Sequence, residues 1–307
     1  DATPSIAYDA QSSMVQTTTA FSISWSHTTG TGSNRLLLVA VSVHVATGAP
    51  TTVSSVTYDS VPLTQVTTAL YSATNPQVRT YIFQLVNPAS GTNTITVTFA
   101  AATLSVAGAA TYSGVDQTNP IQTSNTATGS GTTPSVSVTV TGSSRRLFGH
   151  LGGHRTTPPT AWTITEGPGQ TRRWAQTGQL YKGVGSDKVV SAGSQSMSWT
   201  LSRTASYVAS AVVINPSTPP VGHFDVDILI RQSDGTIRAT IATNVADSGY
   251  LTTTPTTLSG TYSFADYTVF DQTDYLEIDY YVEVTTALSG ISAYLRIDDD
   301  TVAIADQ

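Results

Sequence analysis

The amino-acid sequence predicts an all-β protein of three tandem antiparallel β-sandwich domains, jelly-roll or immunoglobulin-like in type, with the first two forming an internal repeat. One observation is segment 36–45, an apolar run that passes into alternation and lies between turn residues. Another is the regular spacing of similar short segments, separated by turns rich in Gly, Pro and Asn. A third is the abundance of Thr and Ser beside only 11% charged residues, because Thr suits a half-exposed strand.

The internal repeat is visible around the predicted central strand. An arginine and a histidine recur there 110 positions later, Arg35 as Arg145 and His44 as His154. Segment 91–99 also matches segment 193–201 without a gap. Two further pairs are therefore expected to occupy equivalent strand positions: Ile95 with Met197, and Val97 with Trp199.

The order of strands and linkers follows from the same patterns. The first domain, residues 1–125, has predicted strands at 5–9, 20–25, 36–45, 53–58, 63–71, 78–86, 94–99 and 104–112. The Ser/Thr/Gly segment 123–134 is predicted to link it to the second domain, residues 126–217. Prolines in 215–220 predict a stiff linker to the third domain, residues 218–307. Alternation in that Tyr-rich domain predicts strands at 224–230, 236–245, 276–284, 291–297 and 301–305.

The formal net charge of −7 is unevenly distributed along the chain. Residues 1–125 carry −2, residues 126–218 carry +6 and residues 219–307 carry −11. The negative total argues against general nucleic-acid binding, which depends on cationic contacts to phosphates. The opposite charges of the second and third domains predict that the two attract each other, either between subunits or within one chain.

Residue usage also bears on the location of the protein. The chain contains no cysteine, which excludes disulfides and thiolate sites. No apolar run approaches the ~18 residues that a membrane-spanning helix needs. The first residue is Asp rather than Met, which suits a mature secreted product, with an engineered start as the alternative. The expected location is therefore extracellular, at the cell surface.

Several segments together resemble a known kind of module. They read NRLLLVAVS, VSSVTYDSVPLTQV, VRTYIFQLVNPASGTNTITVTF and YSGVDQTNPI, all within residues 34–121. This pattern resembles a tandem module of secreted and cell-surface proteins from environmental bacteria and archaea, and the resemblance extends over residues 1–217. It implies an extracellular β-sandwich and no known activity. The second copy departs from the pattern, with extra glycines in its central strand.

Two groups of side chains could in principle bind a metal. His44, His150 and His154 form the first group, but strand positions i and i+4 lie roughly 13 Å apart, too far for one ion. A shared structural role is therefore predicted for these histidines. Acidic residues near the C-terminus form the second group and could supply oxygen ligands to calcium, with solubility or a partner surface as the alternative role. The calcium candidates are Asp298, Asp299 and Asp300, and no other cofactor is expected.

No catalytic motif stands out, and no enzyme activity is predicted. Carboxylate pairs of the kind used in glycoside hydrolysis can be drawn, but none lies in an apolar setting that would raise its pKa. The sequence has no G-x-S-x-G, no H-E-x-x-H and no phosphate-binding glycine loop. Aromatic side chains could stack on sugars or, alternatively, pack in cores and interfaces. These aromatic residues are Trp162, Trp174, Tyr275, Tyr281 and Tyr294.

The favoured function is that of a structural subunit in an extracellular or cell-surface assembly, a head-to-tail filament or appendage held by strand addition and charge complementarity. Its partner is then another copy of the same chain. One alternative is a carbohydrate-binding or adhesive module with glycans as partners, and another is a viral fibre or decoration protein. The interface candidates are N-terminal, basic and acidic residues: Ser5, Ile6, Ala7, Tyr8, Arg145, Arg146, Arg172, Arg173, Asp225, Asp227, Glu277, Asp279 and Glu283.

Overall fold

The computed structural model describes residues 5–156, 161–217, 222–232, 234–242 and 275–284. Within these ranges the protein is all-β and every strand pairing is antiparallel, which confirms the predicted class. Contacts divide the chain into one unit of Thr3–Thr218 and another that contains Pro219–Gln307. The predicted boundary before the third domain lies at this division, whereas the first two predicted domains fall in a single unit.

The strands of the larger unit are short except for the first and the seventh. They are β1 (Ala7–Thr29), β2 (Leu36–Val45), β3 (Val53–Tyr58), β4 (Val61–Pro62), β5 (Thr64–Tyr71), β6 (Gln77–Val86), β7 (Gly91–Ser113), β8 (Ile121–Gly131), β9 (Ser135–Val140), β10 (Arg145–His154), β11 (Ile164–Glu166), β12 (Thr171–Thr177), β13 (Tyr181–Val190), β14 (Gly193–Leu201) and β15 (Ala205–Ile214). The strands described in the smaller unit are β16 (Gly222–Arg231), β17 (Ile237–Ala242) and β18 (Tyr275–Val284).

The first half of the larger unit comprises β1 to β7, and β2 is its central strand, as the apolar run predicts. It pairs with β6 on one side and with the C-terminal part of β7 on the other. The N-terminal part of β7 pairs with β3, and β1 runs antiparallel along nearly the whole of β7. Residues 36–44 are buried on both faces of the sheet. Burial on both faces explains why the run is continuously apolar instead of alternating.

The second half of the larger unit comprises β8 to β15, and β10 occupies the corresponding central position. Its sheet has the order β12-β13-β10-β15-β8, and a separate sheet has the order β11-β14-β9. The two central strands have neighbours that match in register as well as in order. The two corresponding histidines have these strand partners: His44 lies opposite Val78 and Leu104, and His154 lies opposite Tyr181 and Ser206.

The polar segment 123–134 is largely a strand, so the predicted linker is wrong. Strand β8 spans Ile121–Gly131 and pairs with β15 along its whole length. The predicted boundary between residues 125 and 126 therefore falls inside a strand. Its small and hydroxyl-bearing side chains are compatible with a partly exposed edge strand, and Ala127 packs against the core. Composition alone did not separate this edge strand from a linker.

The N-terminal segment pairs within its own chain. Ala7 lies opposite Ser113 and Tyr8 lies opposite Tyr112, at the start of the β1–β7 pairing. Ile6 is buried in the adjoining core. In the single chain this segment therefore lies at an edge of its own sheet, whereas the expected strand addition would place it in the sheet of a neighbouring copy.

The described part of the smaller unit is a three-stranded sheet of order β17-β16-β18. In its register Asp225 lies opposite Tyr281, Asp227 lies opposite Asp279, and Leu229 lies opposite Glu277. Acidic positions are therefore spread over two adjacent strands. The predicted strands at 291–297 and 301–305, the calcium candidates Asp298, Asp299 and Asp300, and Tyr294 lie outside the described residues.

Candidate functional site

The two halves of the larger unit share one buried interface, which we call the seam. Side chains from both halves form a single apolar cluster there. The alternation of β2 places Leu36, Leu38 and Ala40 in the seam, whereas Leu37 and Val39 belong to a separate core of the first half. The other fully or nearly buried members of the seam are Ile6, Ile82, Val106, Ala110, Tyr112, Val115, Phe148, Trp174, Tyr181, Val212 and Ile214.

Polar side chains cross the seam in pairs. Ser42 Oγ lies 3.0 Å from His150 Nε2, and Thr80 Oγ1 lies 3.0 Å from Ser210 Oγ. The Nδ1–H of His150 donates to the backbone carbonyl of Val184 at 3.0 Å. In the neutral ring Nε2 is therefore an acceptor for the Ser42 hydroxyl. Because all of these side chains are buried, the bonds connect the two halves where water cannot compete for them.

The histidines that correspond in sequence meet each other in the seam. The rings of His44 and His154 have centroids 5.6 Å apart, and Tyr181 stacks on His44 at 4.9 Å. Burial lowers the pKa of His150 and of His154 to about 4, and burial followed by the two neighbouring histidines lowers that of His44 well below its usual value. Within the described ranges no group of three or more potential ligands is placed to hold a metal ion.

A buried carboxylate at one end of the seam binds groups from three strands. Asp187 is 1% exposed and accepts two hydrogen bonds from Arg173, at 2.8 and 2.9 Å. Arg146 lies 3.1 Å from Asp187 Oδ2, and the Tyr112 hydroxyl donates to the same oxygen at 2.7 Å. Burial and then the adjacent Asp187 carboxylate raise the pKa of Tyr112 well above its usual value, so the phenol keeps the proton that it donates.

The same cluster holds the N-terminal strand. Arg146 Nη2 donates to the backbone carbonyl of Ile6 at 3.2 Å, and the guanidinium of Arg173 lies 3.7 Å from the centroid of the Tyr8 ring. The Tyr181 hydroxyl donates to the carbonyl of Gln16 on the same strand. Side chains of the second half therefore fix the N-terminal strand of the first half.

Of the four arginines predicted to face the acidic third domain, two are part of this internal cluster. Arg146 and Arg173 pair with Asp187 in their own chain, because β10 and β12, which carry them, are the two neighbours of β13 in the sheet. Arg172 pairs with Glu166 at 2.6 Å, and Arg145 donates to the carbonyl of Thr141. Asp187 was not singled out from the sequence, where its only distinguishing mark is an acid in an otherwise uncharged stretch between Val184 and Lys188.

The tryptophans considered for sugar stacking are core residues. Trp162 and Trp174 are each 2% exposed, which excludes them as an exposed sugar-stacking platform and matches the alternative of core and interface packing. Trp174 lies between two glycines from different halves. A Cβ atom at Gly108 would overlap its indole ring, and one at Gly185 would overlap its Nε1.

We expect Gly108→Ala to lower the free energy of unfolding by about 3 kcal/mol, since the added methyl group has no space and the buried ring cannot move away. Gly131→Ala is the matched control, because a Cβ at that strand glycine contacts nothing, and its effect should stay within about 0.5 kcal/mol. Urea denaturation of both variants measures the difference. Equal stabilities of the two variants would show that the halves are not packed this closely.

Comparison of the chain with protein families, with curated proteins and with solved structures gives no match. In the part of the chain that the structure describes, no helix has the length and hydropathy that crossing a membrane requires.

Proposed function

We propose that the protein is a structural subunit of an extracellular or cell-surface assembly, a head-to-tail filament or appendage. In this proposal residues 1–217 are two copies of one β-sandwich module, and residues 218–307 form a third, acidic domain. The secreted location rests on the resemblance of residues 1–217 to modules of secreted and cell-surface proteins.

The repeat is supported by the pairing of the central strands. Each neighbour of β2 in the first half has a counterpart beside β10 at a constant offset, as the partners of the two histidines illustrate. The positions expected to be equivalent in β7 and β14 are all buried, namely Ile95, Val97, Met197 and Trp199. A duplicated module whose copies pack on each other accounts for both observations.

The observation that carries the structural role is the seam itself. His150 and the Asp187 cluster join the two halves through hydrogen bonds and ion pairs, and the rings of His44 and His154 contact each other across the seam. Ionisable groups at catalytic sites are commonly held so that they can exchange protons with a substrate. In this proposal the groups in the seam instead connect the two halves, as a subunit that transmits force along a filament requires.

The proposed contact between copies uses the surface charge that the seam leaves exposed. Outside Arg146, Arg173 and Asp187, which lie in the seam, residues 126–218 carry a net charge of +5, and β16 and β18 belong to a domain of net charge −11. Unlike patches on one chain produce heterologous contacts, which propagate instead of closing a dimer. Strand addition by residues 5–8 would require these residues to leave their own sheet. We therefore propose that the contact between copies is electrostatic.

The test is sedimentation velocity and negative-stain electron microscopy of the full chain at rising concentration. We expect elongated polymers at 0.1 M salt and much shorter ones at 1 M, because the screening length falls from about 10 Å to about 3 Å. Arg145→Glu should slow elongation and leave the melting temperature of the monomer unchanged. A chain that stays monomeric at every concentration, or polymers indifferent to both changes, would contradict the proposal.

A further inference from the structure

A small cleft opens on the second half of the larger unit, between β11 and the β12–β13 pair. Its volume is about 130 Å³ and its lining includes Trp162, Arg172, Gln176, Thr177 and Lys182. One water needs about 10–15 Å³ of such space, so the cleft has room for a small polar group. None of its lining residues belongs to the Asp187 cluster.

The cleft is lined by a lysine and by a tryptophan whose indole N–H is unpartnered. The Lys182 ammonium donates to Thr177 Oγ1 at 3.0 Å and lies 5.5 Å from the centroid of the Trp162 ring. An ammonium has three donors, so Thr177 uses only one. The indole N–H of Trp162 is buried and has no hydrogen-bond partner among the described residues; Trp174 and Trp199 share this state, but of the three only Trp162 lines the cleft. Buried donors without a partner are uncommon in native proteins and call for an explanation.

The net charge of the cleft distinguishes among anions. Arg172 also lines it, but Glu166 binds that guanidinium through two oxygens, at 2.6 and 2.8 Å, and neutralises it. No carboxylate of the described residues pairs with Lys182, whose pKa burial lowers. The cleft therefore has one uncompensated positive charge, which matches a monoanion better than a phosphate dianion.

We propose that this cleft binds a carboxylate group, with Lys182 as its counter-ion and the indole N–H of Trp162 as a neutral donor. The carboxylate could come from an acidic sugar or from an Asp or Glu side chain of another copy of this chain, whose residues 219–307 are rich in both. The two sources share the same chemistry at the cleft. The inference does not depend on the proposed assembly, because free carboxylates test it directly.

The experiment follows the indole N–H signals of the ¹⁵N-labelled full chain by NMR, with Trp162→Phe used to assign the signal of Trp162. Sodium acetate and sodium glucuronate are the probes, and sodium chloride is the control for ionic strength. We expect a saturable shift of the Trp162 signal with both carboxylates and none with chloride. In Lys182→Gln the dissociation constant should rise about tenfold, as for a charged hydrogen bond that is lost.

Lys188→Gln is the matched control, since Lys188 is a partly buried lysine on the same strand, roughly 20 Å from Lys182 along the chain. It should bind both probes with unchanged affinity. A Trp162 shift that develops on raising the protein concentration alone identifies another copy as the source of the carboxylate, and a shift seen only with glucuronate identifies an acidic sugar. Absence of saturation with both probes, or equal binding in Lys182→Gln and Lys188→Gln, overturns the proposal.

Discussion

Acidification from pH 7 to pH 4 is expected to unfold the larger unit of the protein. His27, His150 and His154 have folded-state pKa values lowered to about 4 by burial, and that of His44 is lowered well below its usual value. A histidine whose pKa is lower in the folded than in the unfolded chain binds its proton preferentially in the unfolded chain. Its contribution to stability is therefore complete above pH 6.5 and is lost as the pH falls towards 4.

The size of this effect follows from the shift in pKa. At pH 4, each histidine whose pKa moves from 6.5 to about 4 costs about 3 kcal/mol of folding free energy. Whole domains are stable by only about 5–15 kcal/mol, so several such histidines are enough to unfold one. The change is measured by far-UV circular dichroism and tryptophan fluorescence during pH titration.

One variant tests whether the histidines of the seam cause the loss of stability at low pH. At pH 7, His150→Gln should be less stable than the parent, because the hydrogen bonds to Ser42 and Val184 change. Between pH 7 and pH 4, its free energy of unfolding should fall by about 3 kcal/mol less than that of the parent. Between pH 7 and pH 8 both proteins should have constant stability, since their buried histidines are already neutral. A parent chain that keeps its stability down to pH 4 would refute the neutral, buried state of these rings.

Asp187→Asn is expected to lower the free energy of unfolding by about 3–5 kcal/mol, because removing one partner from a buried ion pair leaves the opposite charge without compensation. The side chains of Arg146 and Arg173 are only 11% and 16% exposed, so water cannot replace the lost carboxylate. The loss should loosen the N-terminal strand as well, since the same two arginines contact Ile6 and Tyr8.

Glu166→Gln is the matched control for this change. It also removes a carboxylate from an arginine, but Arg172 is 44% exposed and its pair is worth less than about 1 kcal/mol. Urea denaturation compares the two variants, and amide hydrogen exchange of residues 7–16 reports on the N-terminal strand. If Asp187→Asn lowered the free energy of unfolding no more than Glu166→Gln does, the Asp187 cluster would not stabilise the contact between the two halves as its geometry indicates.

Much of the local structure was predictable because it depends on residues close together in the chain. The apolar run of β2 predicted a buried central strand, and residues 36–44 are buried. Proline at 216, 219 and 220 predicted the division near residue 218. The polar run that became β8 was one exception, since an edge strand with hydroxyl side chains has the composition of a linker. The polar residues between the predicted strands 5–9 and 20–25 were another, because they belong to the continuous strand β1.

The seam was decided only by the tertiary structure. Its hydrogen bonds join residues 108 positions apart, as between Ser42 and His150, or 130 positions apart, as between Thr80 and Ser210. Alternation predicts which side chains share a face of a strand, but it does not specify what covers that face. For this reason the sequence by itself determined most of the strands and which of their residues are apolar. How distant strands meet decided the rest: the face-to-face packing of the two halves, the pairing of Asp187 with two arginines and the burial of the tryptophans.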